Sequence, residues 1–224
     1  NCFYKTNNKD ESIKTYDEVL KLNPNNQVAL FNKGLILFEK GENEEANKLF
    51  EQANTIKENP KILLSEGLVA LRQDKYESAI EKFDAAIKLD ENNPQAYVGK
   101  GQALYGVGKI PESIEEYDKA IQLQPDYDNA LASKANSLDK SNKKDEAIEL
   151  FKEVDKLKEK NPLHLINYAL CLYEKAKFED AWSILDRAEI SYSVSKENLT
   201  AKEQKFIEDN IDKLKRARDK MNSS

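Results

Sequence analysis

Residues 95–127 read QAYVGKGQALYGVGKIPESIEEYDKAIQLQPDY, and the fold class follows from this stretch. Apolar residues recur every three or four positions in two blocks: Ala96, Tyr97, Ala103 and Leu104, then Ile114, Tyr117, Ala120 and Ile121. This spacing places each block on one face of an α-helix. Val107-Gly108-Lys109 supplies a turn between the blocks, and Gln124-Pro125-Asp126 ends the second. The stretch therefore predicts two helices joined by a tight turn.

The same pattern recurs along most of the chain at intervals of 33 or 34 residues. The first helix of each unit carries a small residue: Gly34, Gly67, Gly101, Ala135 and Ala169. The second helix carries another small residue, at Ser12, Ala46, Ala79, Ser113, Ala147 and Ala181. One turn later it carries a large apolar residue, at Tyr16, Phe50, Phe83, Tyr117, Phe151 and Leu185. Since one such unit is too small to bury its own apolar face, the units must stack.

The small residues predict close contact between the two helices of a unit. We expect Gly67 to meet Ala79 across that contact, and Phe83 to fill the space toward the next unit. The residues that we expect to pack the repeats in this way are Gly34, Ala46, Gly67, Ala79, Gly101, Ala147 and Ala181. Added volume at such positions costs stability.

This pattern resembles the tetratricopeptide repeat (TPR), with Gln95–Tyr127 as its closest match through Tyr97, Gly101, Tyr117, Ala120 and Pro125. The resemblance implies an all-α, right-handed superhelical solenoid with a C-terminal capping helix. Residues 1–26 would hold a partial repeat, with a second helix at about Lys9–Leu22 and Phe3 at the end of a lost or short first helix. Five repeats would follow at 27–59, 60–93, 94–127, 128–161 and 162–195. Residues 196–224 would form the cap and a short tail.

The tail differs from the repeats because no turn signal interrupts it. Its apolar stripe predicts one long amphipathic helix and consists of Leu199, Phe206, Ile207, Ile211, Leu214 and Met221. A basic cluster lies near its end: Lys213, Lys215, Arg216, Arg218 and Lys220. These cations suit the C-terminal end of a helix dipole. A site for an acidic partner or a nucleic acid is the alternative interpretation.

Composition argues against several classes of protein. With 35 Lys and Arg against 41 Asp and Glu, the formal net charge is −6, whereas nucleic-acid binding needs a basic face. The chain has no apolar run long enough to span a bilayer and no secretory pattern, so we expect a cytoplasmic protein. Cys2 and Cys171 are far apart in sequence and form no metal motif, which favours a reducing compartment. The chain begins with Asn1, so we expect a fragment or a processed form.

Catalytic and cofactor chemistry also lacks a sequence signal. His164 is the only histidine, and no Cys or Ser lies at a sequence spacing that suggests a catalytic partner, so we expect a packed or surface histidine. Gly99-Lys100-Gly101 lies within a predicted helix and lacks the spacing of a phosphate-binding loop. We therefore predict a protein that is not an enzyme and that uses no cofactor or metal ion.

The resemblance implies that the first helices line a concave face that holds a peptide or a helix. Helical phase, taken opposite the small packing residue, selects the inward positions, and the partner-binding residues that we predict are Phe31, Leu35, Phe38, Leu64, Leu68, Leu71, Tyr105, Asn136, Ile166 and Tyr173. This column is apolar in the first two and the last complete repeats and polar between them. Since TPR clamps for a chaperone's carboxylate tail use Lys, Asn and Arg there, no such clamp is expected. Packing between repeats, or a preceding part of the protein lying in the groove, are alternative uses of these side chains.

The functional prediction is a non-catalytic scaffold that binds a partner peptide or amphipathic helix through apolar anchors. One alternative is a permanent structural subunit of a large multiprotein assembly, whose surface its neighbours bury. A helical-repeat protein that binds RNA is a further alternative, which the acidic composition disfavours.

Overall fold

The computed structural model describes residues 9–157 and 161–223. Cys2 and Phe3, for which predictions were made above, lie outside these ranges. Within the described ranges every regular element is helical. The α-helices are α1 (Lys9–Leu22), α2 (Gln27–Glu39), α3 (Asn43–Ile56), α4 (Pro60–Arg72), α5 (Tyr76–Leu89), α6 (Pro94–Gly106), α7 (Ile110–Leu123), α8 (Asp128–Lys140), α9 (Lys144–Lys156), α10 (Pro162–Glu174), α11 (Phe178–Ser195) and α12 (Ala201–Asn222).

The chain forms two compact units, residues 1–123 and 124–224. In the first, α1 packs on α2, and the pairs α2–α3, α4–α5 and α6–α7 form antiparallel hairpins. In the second, α8–α9 and α10–α11 form such hairpins, and α12 packs on both α10 and α11. The division into units falls after α7, inside the third predicted repeat, so the scheme of five repeats stays a prediction about sequence.

Asparagine begins four of the first helices. The side chains of Asn26, Asn59, Asn93 and Asn161 each accept a hydrogen bond from a backbone N–H in the first turn. Proline follows three of these asparagines directly, at the first helical position, where the N–H that proline lacks would have had no partner. These local signals fix where four of the five first helices start.

The turn inside each hairpin also repeats. One residue there adopts the left-handed conformation, at Gly41, Asp74, Gly108, Asn142 and Ala176. The N–H of the next residue donates to the carbonyl five residues back, as in Lys177 N–H to Leu172 O at 2.9 Å, which is the Schellman arrangement. Glycine, asparagine and aspartate tolerate this conformation, but the Cβ of alanine strains it. Ala176, with φ of 56°, is therefore the strained turn of the series.

We expect Ala176→Gly to stabilise the chain by about 1 kcal/mol, because the relief of strain exceeds the added freedom of the unfolded chain. Gly41→Ala is the matched control. A Cβ at Gly41 would meet nothing within 4 Å, so its effect reports the backbone alone, and we expect a loss of similar size. Urea unfolding followed by circular dichroism measures both. A loss of stability in Ala176→Gly would contradict the assignment of strain.

The large apolar column fills the space beside the glycines. A methyl group at Gly34 would lie 2.6 Å from the ring of Phe50, and one at Gly67 would lie 2.7 Å from the ring of Phe83. The atoms nearest to such a methyl group at Gly67 all belong to the Phe83 ring, and the contact of Gly67 with Ala79 stays a prediction. The ring of Phe83 also touches Gly99 on α6, as expected of a residue that reaches the next repeat. All seven predicted packing residues are buried: Gly34, Ala46, Gly67, Ala79, Gly101, Ala147 and Ala181.

The last helix, α12, covers the end of the second unit. A capping box at Thr200 and Glu203 begins it. Ile207, Ile211 and Leu214 are buried. The predicted stripe was too wide, because Phe206 and Met221 are exposed and Leu199 precedes the helix. A short 3-10 turn at 196–198 connects α11 to α12, so the tail folds back on α11.

Candidate partner-binding surface

In the first unit, the predicted anchors of α2 lie at the edge of the core. Phe31, Leu35 and Phe38 are half-buried and pack against a cluster that includes Leu30. The ring of Phe31 lies 5.8 Å from that of Phe50, centroid to centroid. Each of these side chains therefore rests on a packed base and keeps part of its surface open to solvent.

The predicted anchors of α4 divide into two kinds. Leu68 and Leu71 are half-buried and pack against a second core cluster, which contains Phe83. Leu64 is only 8 % exposed and is a member of that cluster itself. The prediction of Leu64 as an anchor was wrong, because its position on α4 turns it into the core beside Leu63.

Arg72 covers part of this surface. Its guanidinium lies 3.5 Å from the centroid of the Phe38 ring, and Nη1 donates to the Phe38 carbonyl at 2.6 Å. A cation over an aromatic face is an attractive contact. The arginine thereby covers one face of the Phe38 ring. We call the half-buried side chains Phe31, Leu35, Leu68 and Leu71 of these two helices the α2–α4 surface. Arg72 lies outside the inward column that helical phase selects, so the sequence pattern does not indicate it.

The surface becomes polar toward α6. Gln102, which matches Leu35 and Leu68 in the repeat, is exposed. Tyr105, a predicted anchor, is 37 % exposed and is the most open of the predicted aromatic residues. The apolar surface of the first unit is therefore concentrated on α2 and α4.

In the second unit the predicted positions do not form one surface. Ile166 is completely buried, so the prediction of a partner contact there was wrong. Asn136 is half-buried. Tyr173 is half-buried against Phe178 and Trp182, with ring centroids 5.7 Å away in both cases. That aromatic cluster straddles the turn between α10 and α11. The sequence pattern does not indicate it, because its residues fall on two different helices.

The single histidine is a packed residue. His164 is buried, and its Nδ1 lies 4.0 Å from Oδ2 of Asp128. Burial lowers the pKa of His164 below its ordinary value, although the Asp128 carboxylate opposes that shift. Cys171 is also buried, and burial raises the pKa of its thiol to about 12. A thiol with such a pKa is a poor nucleophile at neutral pH.

Two of the basic residues near the end of α12 make ion pairs with α11. Arg218 Nη1 lies 2.8 Å from Asp186 Oδ1, and Lys215 pairs with Glu189. These contacts hold the cap in place and neutralise part of the basic cluster. Between residues 9 and 157 and between 161 and 223, no three His, Cys, Asp or Glu side chains are grouped to hold a metal ion. No helix in those ranges is both long and apolar enough to cross a membrane.

Comparison with known proteins agrees with this architecture. Tetratricopeptide repeat models match residues 3–59, 64–128 and 128–161. No curated protein matches the chain. Among solved structures, MamA is 25 % identical over 65 % of this chain and 86 % of its own, with a TM-score of 0.61.

Two further structures are similar in fold. A tetratricopeptide repeat protein from Parabacteroides merdae ATCC 43184 is 18 % identical, with a TM-score of 0.73 over 91 % of this chain and 77 % of its own. YrrB, described as a TPR protein with an unusual peptide-binding site, is 18 % identical, with a TM-score of 0.58 over 77 % of this chain and 90 % of its own. The chain therefore belongs to the tetratricopeptide repeat family, and its fold is an all-α TPR solenoid.

Proposed function

We propose that this protein is a non-catalytic interaction scaffold that binds a partner protein on the α2–α4 surface. The observation that carries the proposal is the set of half-buried apolar side chains there, Phe31, Leu35, Leu68 and Leu71, each resting on a packed core. Such side chains are pre-ordered, so a partner that covers them loses little conformational freedom on the scaffold side. The TPR fold, which serves as a protein-interaction scaffold in its family, supports the same interpretation.

The chemistry of the surface defines the partner. Its anchors are aliphatic and aromatic, so an amphipathic helix or an extended apolar segment fits it better than an acidic tail does. Full burial of each anchor contributes about 1.5–3 kcal/mol, and association costs offset much of the total. We therefore expect micromolar affinity for one short segment and weak dependence on salt. A cytoplasmic location is part of this proposal.

The test is to identify a partner with the purified chain, and then to measure its affinity by calorimetry at low and high salt. Phe31→Ala and Leu68→Ala should each weaken binding about tenfold or more, because each removes a central anchor. Gln102→Ala, at the matching position of α6, is the control and should leave the affinity unchanged. Intact affinity in both anchor variants, with the fold preserved, would refute the proposal.

The same measurements separate the alternatives. If the affinity of the unaltered chain falls steeply as salt is added, the partner binds basic residues such as Lys213 and Lys220. A chain that binds RNA under those conditions would be an RNA-binding repeat. A chain that stays soluble only together with several neighbours would be a permanent subunit of an assembly.

A further inference from the structure

One position of the repeat carries a lysine in two of the first helices of the first unit. Lys33 on α2 pairs with Asp17 on the preceding second helix, with Nζ 2.5 Å from Oδ1. Lys100 on α6 pairs in the same way with Asp84, at 2.8 Å, and also with Glu116 on α7, at 3.1 Å. At each place the lysine lies beside a carboxylate on the helix that precedes its own.

The equivalent position on α4 is Glu66, so the charge there is inverted. The residue that matches Asp84 is Glu51 on α3, and the residue that matches Glu116 is Lys82 on α5. Lys82 Nζ lies 2.5 Å from Glu66 Oε2. Two carboxylates, Glu51 and Glu66, thus stand where the neighbouring repeats place a carboxylate and an ammonium.

The Glu66 side chain is buried, and one of its carboxylate oxygens lacks a hydrogen-bond donor. It is 1 % exposed, and no described residue gives its Oε1 atom a hydrogen bond. Burial raises the pKa of Glu66, Lys82 opposes that shift, and the charge of Glu51 adds to it. An anionic oxygen left without a donor in such a place is costly, so a further cation would stabilise it.

A cleft of about 410 Å³ adjoins this carboxylate. Its lining consists of Glu51, Asn54, Thr55, Glu58, Glu66 and Lys82. Three carboxylates, one amide and one hydroxyl face a single ammonium, so the cleft is acidic and rich in acceptors. Planar guanidinium groups carry five N–H donors and match such a distribution of acceptors better than a point charge does.

We propose that this cleft, the Glu66 cleft, binds the guanidinium group of an arginine side chain from a protein partner. The Glu66 carboxylate would turn toward the cleft so that one N–H donates to Oε1, which lacks a donor, and the positive charge would take the place that Lys100 fills beside Asp84. Glu66 lies two residues from Leu68 on α4, about 200° around the helix axis. The site is therefore distinct from the α2–α4 surface, and the scaffold would bind a partner's arginine on another side of α4.

The test uses the full chain and a capped five-residue peptide with one arginine flanked by glycine and serine. Titration is followed by ¹H–¹⁵N NMR. We expect amide shifts confined to α3, α4 and α5, and a dissociation constant at least ten times larger for Glu66→Gln. The same peptide with citrulline, which keeps the shape and loses the charge, should not bind.

A charge swap guards against a variant that simply fails to fold. Glu66→Lys combined with Lys82→Glu rebuilds the order of charges seen at Asp84, Lys100 and Glu116, so it should fold normally and abolish binding. Glu149→Gln, an exposed carboxylate paired with Lys152, is the matched control and should leave the dissociation constant unchanged. Phe31→Ala should leave it unchanged as well.

The proposal is overturned by any of three results. They are no detectable shift at saturating arginine peptide, equal binding of the citrulline peptide, and an unchanged dissociation constant in both Glu66→Gln and the charge swap. Failure of this site would leave the α2–α4 surface untouched, since that surface is tested with different residues and a different ligand.

Discussion

Replacing Phe83 with alanine is expected to lower the free energy of unfolding by about 3–5 kcal/mol. The ring is completely buried, and it touches Gly67 in its own hairpin and Gly99 on the following helix. Glycine has no side chain that can swing into the space, so the cavity left by the ring would stay open. The loss in free energy of unfolding therefore lies near the upper end of the range for an aromatic residue, because contacts in two repeats are lost in addition to the cavity that forms.

Urea unfolding monitored by circular dichroism measures this effect. Phe206→Ala is the matched control, since the same side chain on α12 is 40 % exposed. We expect that variant to lose less stability, because its ring buries less area and its removal leaves no enclosed cavity. Equal losses in the two variants would contradict the role of Phe83 as the packing residue between Gly67 and Gly99.

Deletion of residues 196–224 is expected to cause aggregation and a large loss of stability in the second unit. The deletion removes Ile207, Ile211 and Leu214, each buried, and uncovers the faces of α10 and α11 that α12 packs on. At about 1.5–3 kcal/mol for each side chain, the lost burial approaches the whole stability of a small domain. The hydrogen bond from Tyr192 to Glu208, at 2.6 Å, is lost as well.

Light scattering reports the aggregation, and Trp182 on α11, the only tryptophan, reports the melting of the hairpin by fluorescence. The control is a chain shortened only after Lys220, which removes the exposed Met221 and should behave like the parent. If the chain lacking 196–224 remains monomeric and melts at the parent temperature, α12 is not a cap. A role in partner binding would then be the better account of the tail.

Local signals in the sequence were sufficient for the helices. The isolated second helix predicted at about Lys9–Leu22 is α1, and Asn93 followed by Pro94 begins α6. Such signals act within one or two turns of backbone, where an asparagine side chain or a proline ring meets its own neighbours. The 33- or 34-residue period likewise required the helices to stack, because no single hairpin buries its apolar face.

Contacts distant in sequence decided the rest. Helical phase alone predicted Leu64 and Ile166 as surface anchors, whereas the core encloses both. A helix face a few tens of degrees from the groove is indistinguishable from it by periodicity, and only the neighbouring helices determine which side chains they cover.

The same distinction between local signals and distant contacts applies to the packing of Phe83 and to the burial of Glu66. The sequence by itself determined an all-α stack of TPR hairpins, because its apolar period and its turn residues act locally and recur. Only the tertiary structure decided that Phe83 lies between two glycines, and that Glu66 is buried with Oε1 lacking a hydrogen bond from any described residue. Those facts depend on which atoms of separate helices come within a few ångströms, and the free energy of a side chain is set by that neighbourhood rather than by its place in the repeat.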